Sequence, residues 1–363
     1  MLEIIGQLKL KKPFTASNGW LWRFQRRWRI SSSCRTDKVR QSDAVRAVLM
    51  DRFLDCYLDV QNHLFDASVD DTAYGHFRPN QHWNTDQIPV PFAMPCKRTL
   101  NSIGDRAPTR QDVPSGLSKR QATIHLTLRA DGEQIVPPVL IVRGTGIRIT
   151  EEEKNHYRSL KHVVVYFQKK AWADGDFILW YFEEVFVPAL KKHGLMDDQI
   201  VFLDNLGSHK VDYVKEYMMS NGLYPMYLPP NMTDVCQPVD RHIGGNLKTK
   251  MKRLYTEHKK THSALWSAYS GRNSCNDSLD ANKRRMLIAT WLDDSWIEMR
   301  ETTNFRNAFE STGCLMERNG TNKINLVGFQ AYSYVRDERL RALHSASEVI
   351  HDFSNLAPEC DAC

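Results

Sequence analysis

The sequence predicts an α/β protein in which a mixed β-sheet is flanked by helices. Residues 124–128 alternate apolar and polar side chains and end near the turn Asp131-Gly132, and the apolar residues 135–142 follow. Two such runs around a glycine-containing turn predict an antiparallel hairpin. Between residues 163 and 255, short apolar runs alternate with helical patterns, which is typical of strands joined by helices. The two kinds of connection together predict a mixed sheet, and periodicity leaves the strand order open.

The same patterns place the individual elements. The elements predicted from apolar spacing are a helix at 46–65, the hairpin, a buried strand at 163–167, an aromatic-rich helix at 177–192, a strand at 199–204, a helix at 210–220, a short strand at 224–228, and helices at 238–255 and 286–299. Pro188 is expected to bend the last turn of its helix. We divide the chain into a helical segment at 1–32, a linker and helix at 33–74, a core domain at 75–275 and a helical tail at 276–363.

Composition excludes several classes of protein. Of the 363 residues, 42% are hydrophobic and 25% are charged, as in globular proteins with a sizeable core. No stretch approaches the roughly 18 apolar residues that span a bilayer, and the N-terminus lacks the pattern of a secretory signal. We therefore expect an intracellular protein without a membrane partner. The eight cysteines are scattered, and Cys360 and Cys363 form a CxxC without the second ligand pair of a zinc site.

Basic residues are concentrated near the N-terminus. Residues 1–50 contain 11 Lys and Arg against 3 Asp and Glu, whereas the remaining residues contain 38 against 40. Residues 14–30 predict a helix that Ser17 or Asn18 caps. Its apolar face is expected to carry Trp20, Leu21, Phe24 and Trp28. The arginines that fall largely off this face are Arg23, Arg26, Arg27 and Arg29. Such a helix on a near-neutral body is typical of a phosphate-binding segment; a solvated basic tail is the alternative.

Three aspartates on separate segments are the candidate catalytic residues. Asp204 ends the predicted strand 199–204, and α/β sheets place their sites at the carboxyl ends of strands. Asp240 follows Pro238 at a predicted helix start, and Asp86 lies well upstream. Three carboxylates that converge can hold two Mg²⁺ ions, the arrangement that serves phosphodiester cleavage. From local sequence alone, Asp204 could equally cap the next helix, Asp240 could serve the helix dipole, and Asp86 could be an ordinary loop residue.

The predicted helix after Asp240 has an apolar stripe and a basic face. The stripe consists of Val239, Ile243, Leu247, Met251 and Leu254. The basic face carries Arg241, Lys248 and Lys252. This face could follow the phosphates of DNA, or it could be an ordinary solvated surface.

Several ordered motifs resemble those of pogo/Tigger-type DNA transposases, which are relatives of the mariner group and of centromere protein B. The matching segments are Asn84-Thr85-Asp86-Gln87, Asp204-Asn205 followed by Ser208-His209, and Leu228-Pro229-Pro230-Asn231 followed by Gln237-Pro238-Val239-Asp240. Ile88 departs from the small hydroxyl residue of the family pattern. Residues 14–30 resemble the last helix of the second helix-turn-helix unit in the centromere protein B type DNA-binding region. Because two such units normally precede this point, we expect the sequence to be a fragment, an N-terminally eroded copy, or a sequence from which an upstream exon was missed.

The resemblance implies a fold and an activity. It implies a ribonuclease H-like catalytic core at 75–275 and a DDE transposase or endonuclease that cleaves DNA and transfers strands. Asp86, Asp204 and Asp240 would be both catalytic residues and ligands of two Mg²⁺ (or Mn²⁺) ions. Supporting roles fall to Asn205, His209 and Gln237. The implied partner is double-stranded DNA, a homodimer is possible, and the implied location is the nucleus.

Alternatives remain open at this stage. Asp234 and Asp105 are rivals for the third metal ligand. His209 is a positioning or core residue rather than a ligand, because Mg²⁺ prefers oxygen. A domesticated DNA-binding protein similar to centromere protein B, without catalytic activity, is the main alternative function. A ribonuclease H-like nuclease without sequence specificity would use the same metals.

Overall fold

The computed structural model describes residues 17–28, 43–63, 73–94, 120–147, 149–262 and 280–318. The chain divides into two compact units, residues 1–42 and residues 43–363. The first unit contains helix α1 (Asn18–Trp28). Ser17 begins this helix by accepting the backbone N–H of Trp20 at 3.2 Å, and the ring of Trp20 stacks on Phe24 with centroids 5.0 Å apart. The predicted helix and its cap by Ser17 are therefore present.

The arginines of α1 project from the helix. Arg23, Arg26 and Arg27 are exposed, and the guanidinium of Arg26 lies 5.4 Å from the centre of the Trp22 ring. Arg29, Cys360 and Cys363 lie outside the described residues.

One sheet forms the centre of the second unit. Its strands are β1 (His82–Pro91), β2 (Arg120–Arg129), β3 (Val139–Arg143), β4 (Val164–Gln168), β5 (Gln199–Leu203) and β6 (Leu223–Tyr227). The strand order is β4-β3-β2-β1-β5-β6. β2 is antiparallel to β1 and to β3, whereas the β3–β4, β1–β5 and β5–β6 pairs are parallel. All strands except β2 therefore end at the same side of the sheet, which we call the carboxyl edge.

This topology confirms the predicted mixed sheet. The hairpin expected from residues 124–142 is the antiparallel β2–β3 pair, with Ala122 opposite Val142. An antiparallel β1-β2-β3 half, extended by parallel strands beside β1, is the ribonuclease H-like arrangement that the resemblance implied. β5 is buried along its whole length, as expected for a parallel strand covered on both faces.

β1 is the strand that sequence periodicity does not reveal. It contains a polar run as well as Pro89 and Pro91. β5 pairs with β1 only at residues 82–84, so the rest of β1 has no strand on that side. An unpaired edge tolerates proline, which cannot donate a backbone hydrogen bond. Asp86, which local sequence suggested as a loop residue, lies inside this strand.

Helices cover both faces of the sheet and enclose two apolar cores. The helices are α2 (Asp43–His63), α3 (Glu151–Ser159), α4 (Gly175–Tyr181), α5 (Val187–Lys192), α6 (Asp212–Ser220), α7 (Thr233–Cys236), α8 (Gly244–Thr261), α9 (Ala281–Thr302) and α10 (Phe305–Glu310). One core includes Leu54 of α2, Leu247 of α8 and Leu292 of α9. The other includes Phe177 of α4 and Val214 of α6. α2 and α9 thus pack into the same core as one face of the sheet.

None of the described helices is both long enough and apolar enough to cross a membrane.

Two π-helical turns interrupt the helices. Phe182–Phe186 joins α4 to α5 directly ahead of Pro188. Because proline has no N–H to donate, the distortion expected there takes the form of a wider turn. The second π-helical turn, Val239–Ile243, precedes α8 and contains Asp240. Such turns recur at functional sites.

Candidate active site

Asp86 occupies a buried position in the middle of β1. Only 7% of its surface is exposed, and its Oδ1 accepts the backbone N–H of Gln87 at 2.6 Å. Burial raises the pKa of Asp86 well above its ordinary value, and the charge of Asp240 raises it further. A buried carboxylate is costly unless a cation or a proton accompanies it. This position therefore favours the binding of a positive charge.

Asn84 brings the turn that contains Asp240 to β1. Its side chain is fully buried; its Nδ2 donates to the carbonyl of Phe202 at 3.0 Å. Its Oδ1 accepts the backbone N–H of Val239 at 3.0 Å. One amide thus joins β1, β5 and the π-helical turn. Its local sequence is that of any asparagine in a polar run, so no local pattern indicates this role.

Asp240 lies in the π-helical turn, next to Asp86. The residue is exposed. The partial burial of its carboxyl group raises its pKa, and the positive charge of Lys248 and an interaction with Asp86 oppose this rise. Two ionised carboxylates in contact repel each other, so the pair is stable when a proton or a cation is shared. Helix-dipole stabilisation alone does not account for such a pair.

Asp204 directly follows β5 at the carboxyl edge, as predicted. Its Oδ1 lies 2.7 Å from Nδ1 of His209, with side chains that are 14% and 1% exposed. The contact is close enough for an ion pair but is not aligned as a hydrogen bond. The neighbouring Asn205 donates its side-chain N–H to the carbonyl of Leu228, so it fixes the loop. The helix that follows begins at Asp212, and Asp204 does not cap it.

The three aspartates share one electrostatic environment. Asp204 raises the pKa of both Asp86 and Asp240. In the part of the chain that the structure describes, however, no three His, Cys, Asp or Glu side chains are close enough to bind one ion together. The arrangement is thus three carboxylates that act on one another electrostatically, rather than a closed three-carboxylate cage.

Gln237 adds a buried amide to this group. It is 1% exposed, and neither its Nε2 nor its Oε1 has a hydrogen-bond partner among the described residues. It lies close enough to Asp86 to lower the pKa of that carboxyl slightly, without an aligned hydrogen bond. A buried amide without partners is costly. Its position beside the carboxyl pair suits a group that binds at the site.

Of the two rival aspartates, the structure describes Asp234, which raises the pKa of Asp240 but is held by an arginine. Both carboxylate oxygens of Asp234 accept from the guanidinium of Arg46, at 3.0 and 3.2 Å, which commits Asp234 to an ion pair with α2. Asp105 lies outside the described residues.

The basic side chains around α8 divide into two groups. Lys248 is exposed and acts on Asp240, whose pKa it lowers, and Lys252 lines an open groove on the same helix. Arg241 is instead half-buried, and burial lowers its pKa while Asp234 opposes that change. Lys250 and Arg253 both bind Glu298 of α9, at 2.6 and 2.5 Å. Lys248 and Lys252 are therefore the cations of the predicted basic face that are best placed for an external anion.

Comparison with known proteins shows that the sequence matches a protein family. The sequence matches the family described as DDE superfamily endonuclease over residues 119–309, just over half of the chain. Two curated relatives are the Jerky protein of Mus musculus and the Jerky protein homolog of Homo sapiens, 23% and 22% identical over 250 residues. These matches cover 66% of this chain and 39% of each relative, so the chain spans about two-fifths of their length. The family match includes Asp204 and Asp240 and begins downstream of Asp86.

Solved structures with similar folds are complexes of the Mos1 transposase. A pre-cleavage Mos1 transpososome is 12% identical with a TM-score of 0.38 and covers 78% of this chain and 70% of that chain. The Mos1 strand transfer complex is 11% identical with a TM-score of 0.40, and the match covers 79% of this chain and 70% of that chain. The Mos1 mariner paired end complex with Mn is 12% identical with a TM-score of 0.38, and the match covers 79% of this chain and 70% of that chain.

Proposed function

Because the chain belongs to the DDE superfamily of endonucleases, we propose that it is a divalent-metal-dependent DNA endonuclease of the transposase type, which cleaves DNA and transfers the cut strand to a second site. The membership agrees with the resemblance to pogo/Tigger-type transposases. The observation that carries the proposal is that Asn84 attaches the turn of Asp240 to the strand of Asp86, and that Asp86, Asp240 and Asp204 act on one another electrostatically. Such a concentration of negative charge on the sheet of a nuclease family is suited to divalent cations.

The residues present fit two Mg²⁺ or Mn²⁺ ions. Mg²⁺ prefers hard oxygen ligands and keeps several waters, so few protein ligands suffice. Asp86, Asp204 and Asp240 would hold the ions, and the amide of Gln237, which has no hydrogen-bond partner in the described part of the chain, offers a further oxygen. When bound, the ions would stabilise charge on the attacking and leaving oxygens of a phosphodiester and lower the pKa of attacking water.

The protein's own contribution is to position these groups. Asn84 holds the turn with Asp240 against β1 through hydrogen bonds on both sides. His209 restricts rotation of the Asp204 carboxylate from 2.7 Å away. Lys248 offsets part of the negative charge of Asp240, which lowers the electrostatic barrier to an approaching DNA phosphate.

Double-stranded DNA is the proposed partner. Support comes from the exposed arginines of α1, Arg23, Arg26 and Arg27, and from Lys248 and Lys252 on α8. A homodimer would allow two DNA ends to be joined in one event, and light scattering with and without DNA measures it. A DNA substrate further implies a nuclear location, which imaging of the tagged chain tests.

Titration calorimetry with Mn²⁺ tests the metal site without knowledge of the DNA ends. We expect Asp204→Asn and Asp240→Asn each to weaken binding at least about tenfold, which corresponds to about 1.4 kcal/mol. Asp212→Asn is the matched control, because this carboxylate is 92% exposed and makes the same change in charge. A plasmid-nicking assay in Mn²⁺ should follow the same order.

Two results would contradict the proposal. Mn²⁺ binding that is absent, or that all three variants share with the wild type, would mean that the carboxylates form no metal site. DNA binding that persists under those conditions would favour the non-catalytic DNA-binding alternative.

A further inference from the structure

Two neighbouring loops at the carboxyl edge carry exposed apolar side chains. Residues 144–147 leave β3 and residues 169–172 leave β4, and these strands are paired in parallel up to Arg143 and Gln168. The loops stay together, since the N–H of Gly144 donates to the carbonyl of Gln168 at 3.0 Å. They carry Ile147, which is 83% exposed, and Trp172, which is 48% exposed. Large apolar groups held in water on adjacent loops call for an explanation.

The backbone holds Trp172 outward. Ala171 has a φ of 51°, a left-handed conformation that is uncommon for a residue with a Cβ. Its N–H donates to Gln168 at 3.1 Å, and its carbonyl accepts from the Thr123 hydroxyl at 2.8 Å. Ala171 and Ala173 are buried, at 4% and 0% exposure, so Trp172 between them faces solvent. Backbone strain that the surroundings maintain is concentrated at binding and catalytic sites.

Positive charge surrounds these apolar groups. Arg143, Lys169 and Lys170 are exposed, and none of them forms an ion pair with a carboxylate of the described residues. The nearby carboxylates accept hydrogen bonds within the fold, which fix their positions and leave their negative charges in place. Asp174 accepts the N–H of Phe177 at 3.0 Å, and Asp176 accepts the hydroxyl of Tyr213 at 3.1 Å. The surface therefore offers three exposed cations against these two carboxylates, next to an aromatic ring.

Cations beside an exposed aromatic ring fit a polyanion whose own flat apolar faces are accessible. In duplex DNA the bases shield these faces from one another, whereas in unpaired DNA they are free to stack on protein side chains. A second copy of this chain would bring three cations against three cations, which disfavours self-association. The chemistry thus selects unpaired DNA.

We propose that the surface formed by Arg143, Ile147, Lys169, Lys170 and Trp172 binds single-stranded or locally unpaired DNA. Trp172 and Ile147 contact the faces of the bases, and the three cations contact the phosphates. The inference rests on the proposed DNA chemistry in one respect: the surface lies at the same edge of the sheet as Asp204, so it would hold a strand that has separated beside the site.

Fluorescence anisotropy with a labelled poly-dT oligonucleotide and with a labelled duplex tests this surface. Measurements in EDTA make the result independent of the metal site, so failure of this inference and failure of the metal-dependent nuclease are distinguishable. We expect Trp172→Ala to weaken binding of the single strand about tenfold and to leave duplex binding unchanged. Trp172→Phe should retain most of the single-strand affinity, because it retains an aromatic face.

Two further variants complete the test. Met196→Ala is the control, because Met196 is 63% exposed and precedes β5, at the opposite edge of the sheet. Lys169→Ala with Lys170→Ala should reduce the salt dependence of single-strand binding by about 1.4 in log–log slope. The proposal is overturned if Trp172→Ala and Met196→Ala behave alike, or if Trp172→Ala weakens both DNAs equally. It is also overturned if light scattering shows that Trp172→Ala dissociates a dimer without affecting DNA binding, since the surface would then be a self-interface.

Discussion

Asn84→Ala removes the side chain that joins β1, β5 and the turn of Asp240. In the wild type, the Asn84 side chain makes hydrogen bonds of 3.0 Å to the carbonyl of Phe202 and to the N–H of Val239. The substitution removes both bonds. A buried polar group without a partner costs about 1–3 kcal/mol, so two cost about 2–6 kcal/mol. Urea denaturation measures this as a lower midpoint with an unchanged dependence on denaturant.

The same substitution should weaken the metal site, because the turn of Asp240 loses its attachment to the strand of Asp86. Mn²⁺ affinity, measured where the variant remains folded, should fall at least about tenfold. Asn221→Ala serves as the control, because its exposed side chain makes one hydrogen bond, to Tyr217 at 2.8 Å, and should cost about 0.5 kcal/mol or less. Equal midpoints for the two variants would refute the energetic argument, and full Mn²⁺ affinity in Asn84→Ala would refute the positional one.

Three further outcomes are expected. Burial lowers the pKa of His82 from 6.5 to about 4, so folding favours its neutral form, and this residue alone should lower the free energy of unfolding by about 3 kcal/mol as the pH drops from 6.5 to about 4. The buried His125, whose pKa falls to about 3, adds a similar decrease, so urea titrations should show that His82→Gln reduces the pH dependence by about 3 kcal/mol without abolishing it. Arg285→Ala should lower the free energy of unfolding by about 3–5 kcal/mol, measured by thermal or urea unfolding. The arginine binds the fully buried Glu153 at 2.7 Å, so its removal leaves a buried carboxylate without its cation, and addition of Glu153→Gln should recover part of the lost stability. Lys252→Ala should reduce the salt slope of duplex binding by about 0.9, whereas Lys250→Ala, whose cation already binds Glu298, should have a smaller effect; equal slopes would exclude this face of α8 from the DNA interface.

The sequence predicts those strands and helices in which the spacing of apolar residues by itself indicates which side chains are buried. β5 and β6 are continuous apolar runs, and their bounds lie within about one residue of the predicted ones. The helix that follows β5 begins within about two residues of its predicted start. β1 escapes prediction because its polar residues and prolines are permitted by a neighbour that pairs with only part of it. The partial pairing of β1 with β5 is a property of the whole sheet, and nothing in the local sequence of β1 indicates it.

The site was predictable to the extent that each aspartate sits beside a recognisable motif. Asp204 could be placed at a strand end, but its contact with His209 depends on the loop conformation. The role of Asn84 depends on a hydrogen bond between residues 155 positions apart, and periodicity carries no such information. The same holds for Lys250 and Arg253, which look like free cations in sequence but bind Glu298 across two helices.

The order of strands in the sheet has a consequence for how the chain folds during synthesis. β1 to β4 are adjacent in the sheet in sequence order, but β1 must also pair with β5, where His82 meets Ile200. A nascent chain can therefore form one half of the sheet while β1 keeps an open edge, until β5 and β6 leave the ribosome. β1, which carries Asp86, is synthesised early, whereas β5 and the turn of Asp240 are synthesised late, so the three aspartates come together only after most of the chain exists. A chain interrupted before β5 would expose β1 as an edge strand, so aggregation is the expected result of truncation.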